Sequence, residues 1–178
     1  MERLIGTTQV LVTEPSGKFI VGRKKRGAGE GSLMLPGGKV EQESHVTGAL
    51  REIGQEAGQQ LLNVLGGISL VAILHVNRRC PDTNIPFGPI AVYHAFASRA
   101  APLLGPTDEF EPRWAPLGGP MLSDMLPDYS IWLPATYGFS QAGGGMNHYL
   151  EFDLRNIAAW NMNLRGAQDA PQECLVAA

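Results

Sequence analysis

The chain of 178 residues carries a formal net charge of −3, with 14 Lys and Arg against 17 Asp and Glu. That length suits one domain with a real core, and the acidic balance leaves no electrostatic footprint for duplex nucleic acid. No apolar run approaches the roughly 20 residues of a membrane-spanning helix, so no membrane partner is expected. The opening Met1-Glu2-Arg3-Leu4 lacks a secretory pattern. Cys80 and Cys174 are far apart and show no pairing pattern, which points to a reduced, cytoplasmic setting.

The Val- and Thr-rich segment Leu4 to Thr13 predicts a strand, Pro15-Ser16-Gly17 a turn, and Lys18 to Gly22 a second strand, together a hairpin. Arg23-Lys24-Lys25-Arg26 follows directly. A run of four cations is ordinarily solvated surface, but between a strand and a glycine loop it stands where it draws phosphates in. Gly27 to Ser32 reads as connector and Leu33-Met34-Leu35 as a short apolar run. Pro36-Gly37-Gly38-Lys39 is a loop, because Pro fixes φ and removes a donor while paired glycines free the backbone. A helix then places Val46, Ala49, Leu50, Ile53 and Ala57 on one buried stripe. Glu52 and Glu56 fall one turn apart on another face.

Leu61 to Val76 is apolar and β-branched, with Gly66-Gly67 inside it, and reads as one or two strands with a bend. Asn77 to Pro86 is a loop and Gly88 to Ser98 the next strand. His75 and His94 lie within strand patterns and read as packed, hydrogen-bonded rings, since no second His or Cys lies at ligand spacing. Thr107 to Trp114, with three acids, breaks the apolar pattern before another short strand. Asp124 to Trp132 reads as a loop entering a helix, with Asp128 or Ser130 as its N-cap. Tyr137 to Gly145 reads as Gly-rich loop, and His148 to Phe152 with Ile157 to Met162 as a final hairpin. Strands flank one strong helix without regular β-α-β alternation, so the expected class is α+β. One domain is expected over residues 1–165, followed by a small polar tail, 166–178, that frays.

Two carboxylates one turn apart repel, and a lone pair of that kind is ordinarily a solvated polar face. Hard divalent cations take oxygen ligands, commonly one or two carboxylates plus substrate phosphates. The glycine loop just upstream supplies backbone groups beside the same helix end. Loop, helix and acids together are more specific than any one of them.

That stretch resembles the signature of the Nudix hydrolases. Gly37 leads to Glu43, seven residues separate Glu43 from Arg51, and Arg51-Glu52-Ile53 and Glu56-Ala57-Gly58 follow. Three positions depart from the signature. The loop is one residue short at Glu41-Gln42-Glu43, Gln55 replaces the first of two paired glutamates, and Gln59 replaces a final aliphatic. The Gln55 change removes one negative charge from the expected metal cluster. Lys24-Lys25-Arg26-Gly27, Asp108-Glu109 with Pro112 and Trp114, and Pro127-Asp128 with Ser130 and Trp132 extend the likeness to the branch of the family that hydrolyses oxidised purine nucleoside triphosphates.

The resemblance implies a Nudix-type α/β/α sandwich with a mixed central sheet and a catalytic loop-helix-loop. It implies dependence on Mg2+ or Mn2+, and hydrolysis of a nucleoside triphosphate to monophosphate and pyrophosphate. Glu52, Glu56 and Glu109 would be catalytic, and with the Gly37 carbonyl and Gln55 would hold the metal. Lys24 and Lys39 would neighbour phosphate, and Glu43 and Arg51 would pair structurally. Met34, Leu126, Asp128 and Trp132 would meet the base, with Ala28 and Leu70 standing where the relatives carry rings. Either Glu52 or Glu109 would orient or deprotonate water. A Nudix hydrolase of another nucleoside diphosphate derivative (a dinucleotide, nucleotide sugar or capped RNA) and a nucleotide-binding module weakened in catalysis are the rival readings.

Overall fold

The computed structural model describes residues 5–27, 29–78, 83–145, 147–155 and 162–166. Strand β1 (Ile5–Thr13) runs through the middle of a mixed sheet. Along one edge it pairs in parallel with β6 (Phe87–Ala97). Its other edge is shared. The β4 segment (Gly37–Lys39) pairs with Thr7, Thr8 and Gln9, while β2 (Lys18–Lys24) meets β1 at Thr13 and Phe19. Beyond that point β2 pairs instead with β3 (Leu33–Met34) and β7 (Phe110–Pro116). On the far side, β5 (Leu65–His75) lies antiparallel to β6 and parallel to β8 (His148–Asp153), which carries β9 (Met162–Gly166) at the edge.

Alternation along β1 sends successive side chains to opposite faces. Val10 and Val12 join Ile20, Ala49, Ile53, Ala57, Leu61 and Tyr93 in one core. Leu11 joins Phe19, Val21, Leu35, Trp132, Leu133 and Phe152 in the other. The first core is roofed by α1 (His45–Glu52), a π-turn over Ile53–Ala57 and α2 (Gln59–Leu62). The second is roofed by α3 (Gly119–Ser123) and α4 (Tyr129–Gln141). Helices on both faces of a mixed sheet make the expected α/β/α sandwich of the α+β class.

Several elements differ from expectation, each for a local reason. Of the one or two strands expected over Leu61 to Val76 one forms, as β5, with the expected irregularity between Leu65 and Ile68. The second helix continues through Tyr137 to Gln141 rather than loosening at Gly138. Tyr137 packs on Phe19 at 5.8 Å between ring centroids, and its hydroxyl donates to the Gly17 carbonyl at 2.6 Å, pinning that turn. Neither expected N-cap side chain caps α4: the Asp128 carboxylate accepts from Arg78, and the Ser130 hydroxyl donates to the Pro127 carbonyl. His75 and His94 are hydrogen-bonded as expected, to Glu151 and Thr13. The described part of the last strand runs from Met162 to Gly166, past the expected end at Met162. Met1 to Leu4, Ala28, Cys80, Ile157 to Asn161 and the tail from 167, with Cys174, lie outside the described residues.

Candidate active site

The loop is shaped by contacts that only glycine permits. Gly37 faces Gln9 across the β1–β4 ladder, and a Cβ there would run into the Thr8 carbonyl oxygen. Val10 N–H donates to the Pro36 carbonyl and Val40 N–H to that of Gly6, each at 2.8 Å. Antiparallel alternation then turns the polar groups of Gly37 and Lys39 away from β1. They face the helix. Gly37 N–H donates to Glu56 Oε2 at 2.9 Å, and the Lys39 carbonyl accepts from Arg51 at 2.9 Å. Gly38 lies directly against the Glu52 carboxylate, where a Cβ would collide.

The helix starts at Ser44, whose hydroxyl accepts from Thr47 N–H at 3.1 Å, and reaches Glu52 as regular α-helix. The backbone then widens into the π-turn, closed by Gly58 N–H donating to the Ile53 carbonyl at 3.1 Å. Such turns recur at functional sites. Glu52 precedes it, Glu56 lies within it, and both are buried, at 8% and 5% exposure.

Arg51 ties this end together. It donates from Nε and Nη2 to Glu43 at 3.0 and 2.8 Å, and from Nη1 to Glu52 at 2.7 Å and the Gln55 carbonyl oxygen at 3.0 Å. Arg51 in turn holds the Glu43 carboxyl below the usual glutamate range. The expected structural pairing of Glu43 and Arg51 is present. Gln55 is exposed and turned to Arg51.

Burial pushes the Glu56 carboxyl up, and the opposing influences of Lys24 and the Gly37 N–H only partly offset it, with Glu52 adding repulsion. Lys24 Nζ donates to Glu56 Oε1 at 3.1 Å, so this cation sits on a carboxylate expected to hold metal. Glu109 is exposed and paired with Arg26, whose hydrogen bonds hold its carboxyl down. Among the described residues no three Asp, Glu, His or Cys side chains converge on one point. Glu52 and Glu56 nevertheless fit a hard cation: two buried carboxylates, a neighbouring carbonyl at Gly37, and an ammonium group already drawn to the spot.

A cavity of about 940 Å³ opens over these groups, lined by Lys24, Arg26, Gly37, Gly38, Lys39, Arg51, Glu52, Gln55, Glu56 and Glu109. It continues over Thr7, Thr8 and Gln9 of β1, Met34 and Leu35, Val76, Arg78, Phe87 and Ile90. Every expected metal and phosphate residue thus borders one space. The expected base residues divide. Met34 lines the cavity, whereas Leu126 packs into the α4-side core and Trp132, at 0% exposure, lies within that core against Tyr129 at 4.8 Å. Asp128 is buried behind Arg78, which donates to its Oδ1 at 3.0 Å. Leu70 packs against the opposite, α1-side core. Apolar bulk wins these positions because α4 must roof the sheet.

Arg26, Arg78, Thr8 and Gln9 went unnamed as site residues in the sequence. Arg26 belongs to the cation run, a usable signal. Arg78 stands in a polar loop, and Gln9 is a polar residue inside an apolar strand, a signal once the strand is placed.

The NUDIX domain family model matches residues 4–134. The chain is 31% identical over 130 residues to the oxidized purine nucleoside triphosphate hydrolase of Mus musculus, covering 71% of this chain and 76% of that protein. The fold is similar to a crystallised NUDIX hydrolase from Nitrosomonas europaea, at TM-score 0.61 and 16% identity over 86% of this chain and 81% of that one. It is also similar to a bifunctional NMN adenylyltransferase/ADP ribose pyrophosphatase from Francisella tularensis complexed with AMP and a Mn ion, at TM-score 0.54 and 18% identity over 76% of this chain. The chain spans 43% of that longer protein. With the signature loop and helix folded around buried Glu52 and Glu56 and the family model matching most of its length, this chain belongs to the Nudix family.

Proposed function

We propose that this chain is a divalent-metal-dependent pyrophosphohydrolase that cleaves a purine nucleoside triphosphate to the monophosphate and pyrophosphate, through a catalytic domain spanning residues 1–165. The observation that carries the reading is the single cavity in which buried Glu52 and Glu56 share a wall with Lys24, Lys39 and Arg26. Glu52, Glu56 and the Gly37 carbonyl would hold Mg2+ or Mn2+, which when bound supplies Lewis-acid stabilisation of phosphate oxygens. Lys24 and Lys39 neutralise the polyphosphate, and Arg51 fixes Glu52 and the loop so that the carboxylates meet the substrate at a set spacing. Proton acceptance from the attacking water falls to Glu52 or Glu109, both of which line the cavity.

Support for a triphosphate comes from the mouse relative, whose name specifies that class. A panel of nucleoside triphosphates, dinucleotides and nucleotide sugars, incubated with Mg2+ and resolved by product, tests the reading. Monophosphate and pyrophosphate from purine triphosphates are expected. Turnover confined to the other substrates would replace it with a different Nudix specificity, and binding without turnover would favour a binding module.

A further inference from the structure

Away from the carboxylates, the cavity wall holds Thr8, whose Oγ1 is, among the described residues, buried without a hydrogen-bond partner at 1% exposure, and Gln9, whose amide meets the Tyr129 hydroxyl. A buried polar group left unmet is costly unless a ligand satisfies it. Arg78 lines the same cavity, its backbone tied to β6 by Phe87 N–H donating to its carbonyl at 2.9 Å. Its guanidinium is held from behind by buried Asp128 at 3.0 Å. The carboxylate expected to face the base is therefore spent on orienting a cation, and the cation faces the ligand.

A guanidinium offers only donors, in a planar fork that matches two neighbouring acceptors. Guanine presents such a pair, O6 and N7, on one edge, whereas adenine places an amino donor beside N7. Thr8 and Gln9 add polar side chains to the same cavity wall. Building on the nucleotide-hydrolase reading above, we infer that Arg78 is a specificity-determining residue that selects keto purines over adenine, with Asp128 as its positioning residue.

The test is binding of dGMP and dAMP by calorimetry to the whole chain, which needs no turnover. Wild type is expected to prefer dGMP, and Arg78→Met to lose roughly 5- to 150-fold of that preference. Arg78→Lys, which keeps charge but not the fork, should lose most of it too. If Arg78→Met folds poorly by leaving Asp128 unpaired, the double variant with Asp128→Asn removes that buried charge and should show the same loss. Asp128→Asn alone should weaken the preference only where Arg78 is present. Equal binding of the two nucleotides by wild type, or a dGMP preference that survives Arg78→Met and the double variant, overturns the assignment. A preference retained by Arg78→Lys would also overturn it, in favour of simple recognition of an anionic group. Turnover of triphosphates without base preference would sink Arg78's role and leave the hydrolase standing; base preference without turnover would do the reverse.

Discussion

Lys24 Nζ lies 3.1 Å from Glu56 Oε1, so the more buried of the two helix carboxylates is paired with the lysine that ends β2. Burial still dominates and keeps the Glu56 carboxyl above its ordinary value of 4.5. A carboxyl raised on folding contributes stability that is whole below that ordinary value and is lost as pH rises through the folded one. Glu56→Gln should therefore gain on wild type as pH rises, and in chelator be the more stable near neutrality. Turnover should fall at least about a hundredfold, beyond what outer-sphere partners give. Melting curves from about pH 4 to about pH 7.5 check the first part. A variant less stable at neutrality would mean that Lys24 outweighs burial.

Gly37 and Gly38 should fail differently. A Cβ at Gly37 meets the Thr8 carbonyl and Gln9 Cα, backbone atoms that cannot move without breaking the ladder. Gly37→Ala should cost on the order of 3 kcal/mol of stability. A Cβ at Gly38 meets only the Glu52 carboxylate, which can swing aside. Gly38→Ala should fold nearly as well and lose about a hundredfold in rate by misplacing that group. Chemical denaturation alongside kcat separates the two.

Glu43 tests the loop-to-helix tie. Arg51 holds its carboxyl below 4.5, so its contribution is present above that value and lost as pH falls through the folded one. Glu43→Gln should be less stable than wild type at neutral pH, with the gap closing in acid. A constant gap across that range would place its role elsewhere.

The signature helix, the glycine loop and the sandwich were legible in the sequence because periodicity and glycine placement record local constraints. Ala49, Ile53 and Ala57 repeat on the buried stripe, and Gly37 stands where a Cβ would meet the backbone of β1. The base end was not legible, because Arg78 and Asp128 are 50 residues apart and meet only through tertiary packing. Trp132 reads equally as a stacking platform or as core in the sequence, and its enclosure beside Tyr129 is visible only in the fold. The π-turn leaves no mark in the pattern, since Ile53 and Ala57 stay buried either way.

Gln55 is exposed and accepts from Arg51 at 3.0 Å, beside the two carboxylates. Gln55→Glu would add a negative charge at the cavity rim without changing size. The rate should rise at sub-saturating Mg2+ and converge with wild type when Mg2+ saturates. Titration of rate against Mg2+ reads this directly, and superimposable curves would separate Gln55 from the metal shell.

Phosphorus NMR of a purine nucleoside triphosphate incubated with the protein and Mg2+ bears most directly on cleavage at buried Glu52 and Glu56. Equimolar nucleoside monophosphate and pyrophosphate should accumulate with wild type and fail to appear with Glu56→Gln. Intact triphosphate, orthophosphate with the diphosphate, or equal turnover by both proteins would contradict it.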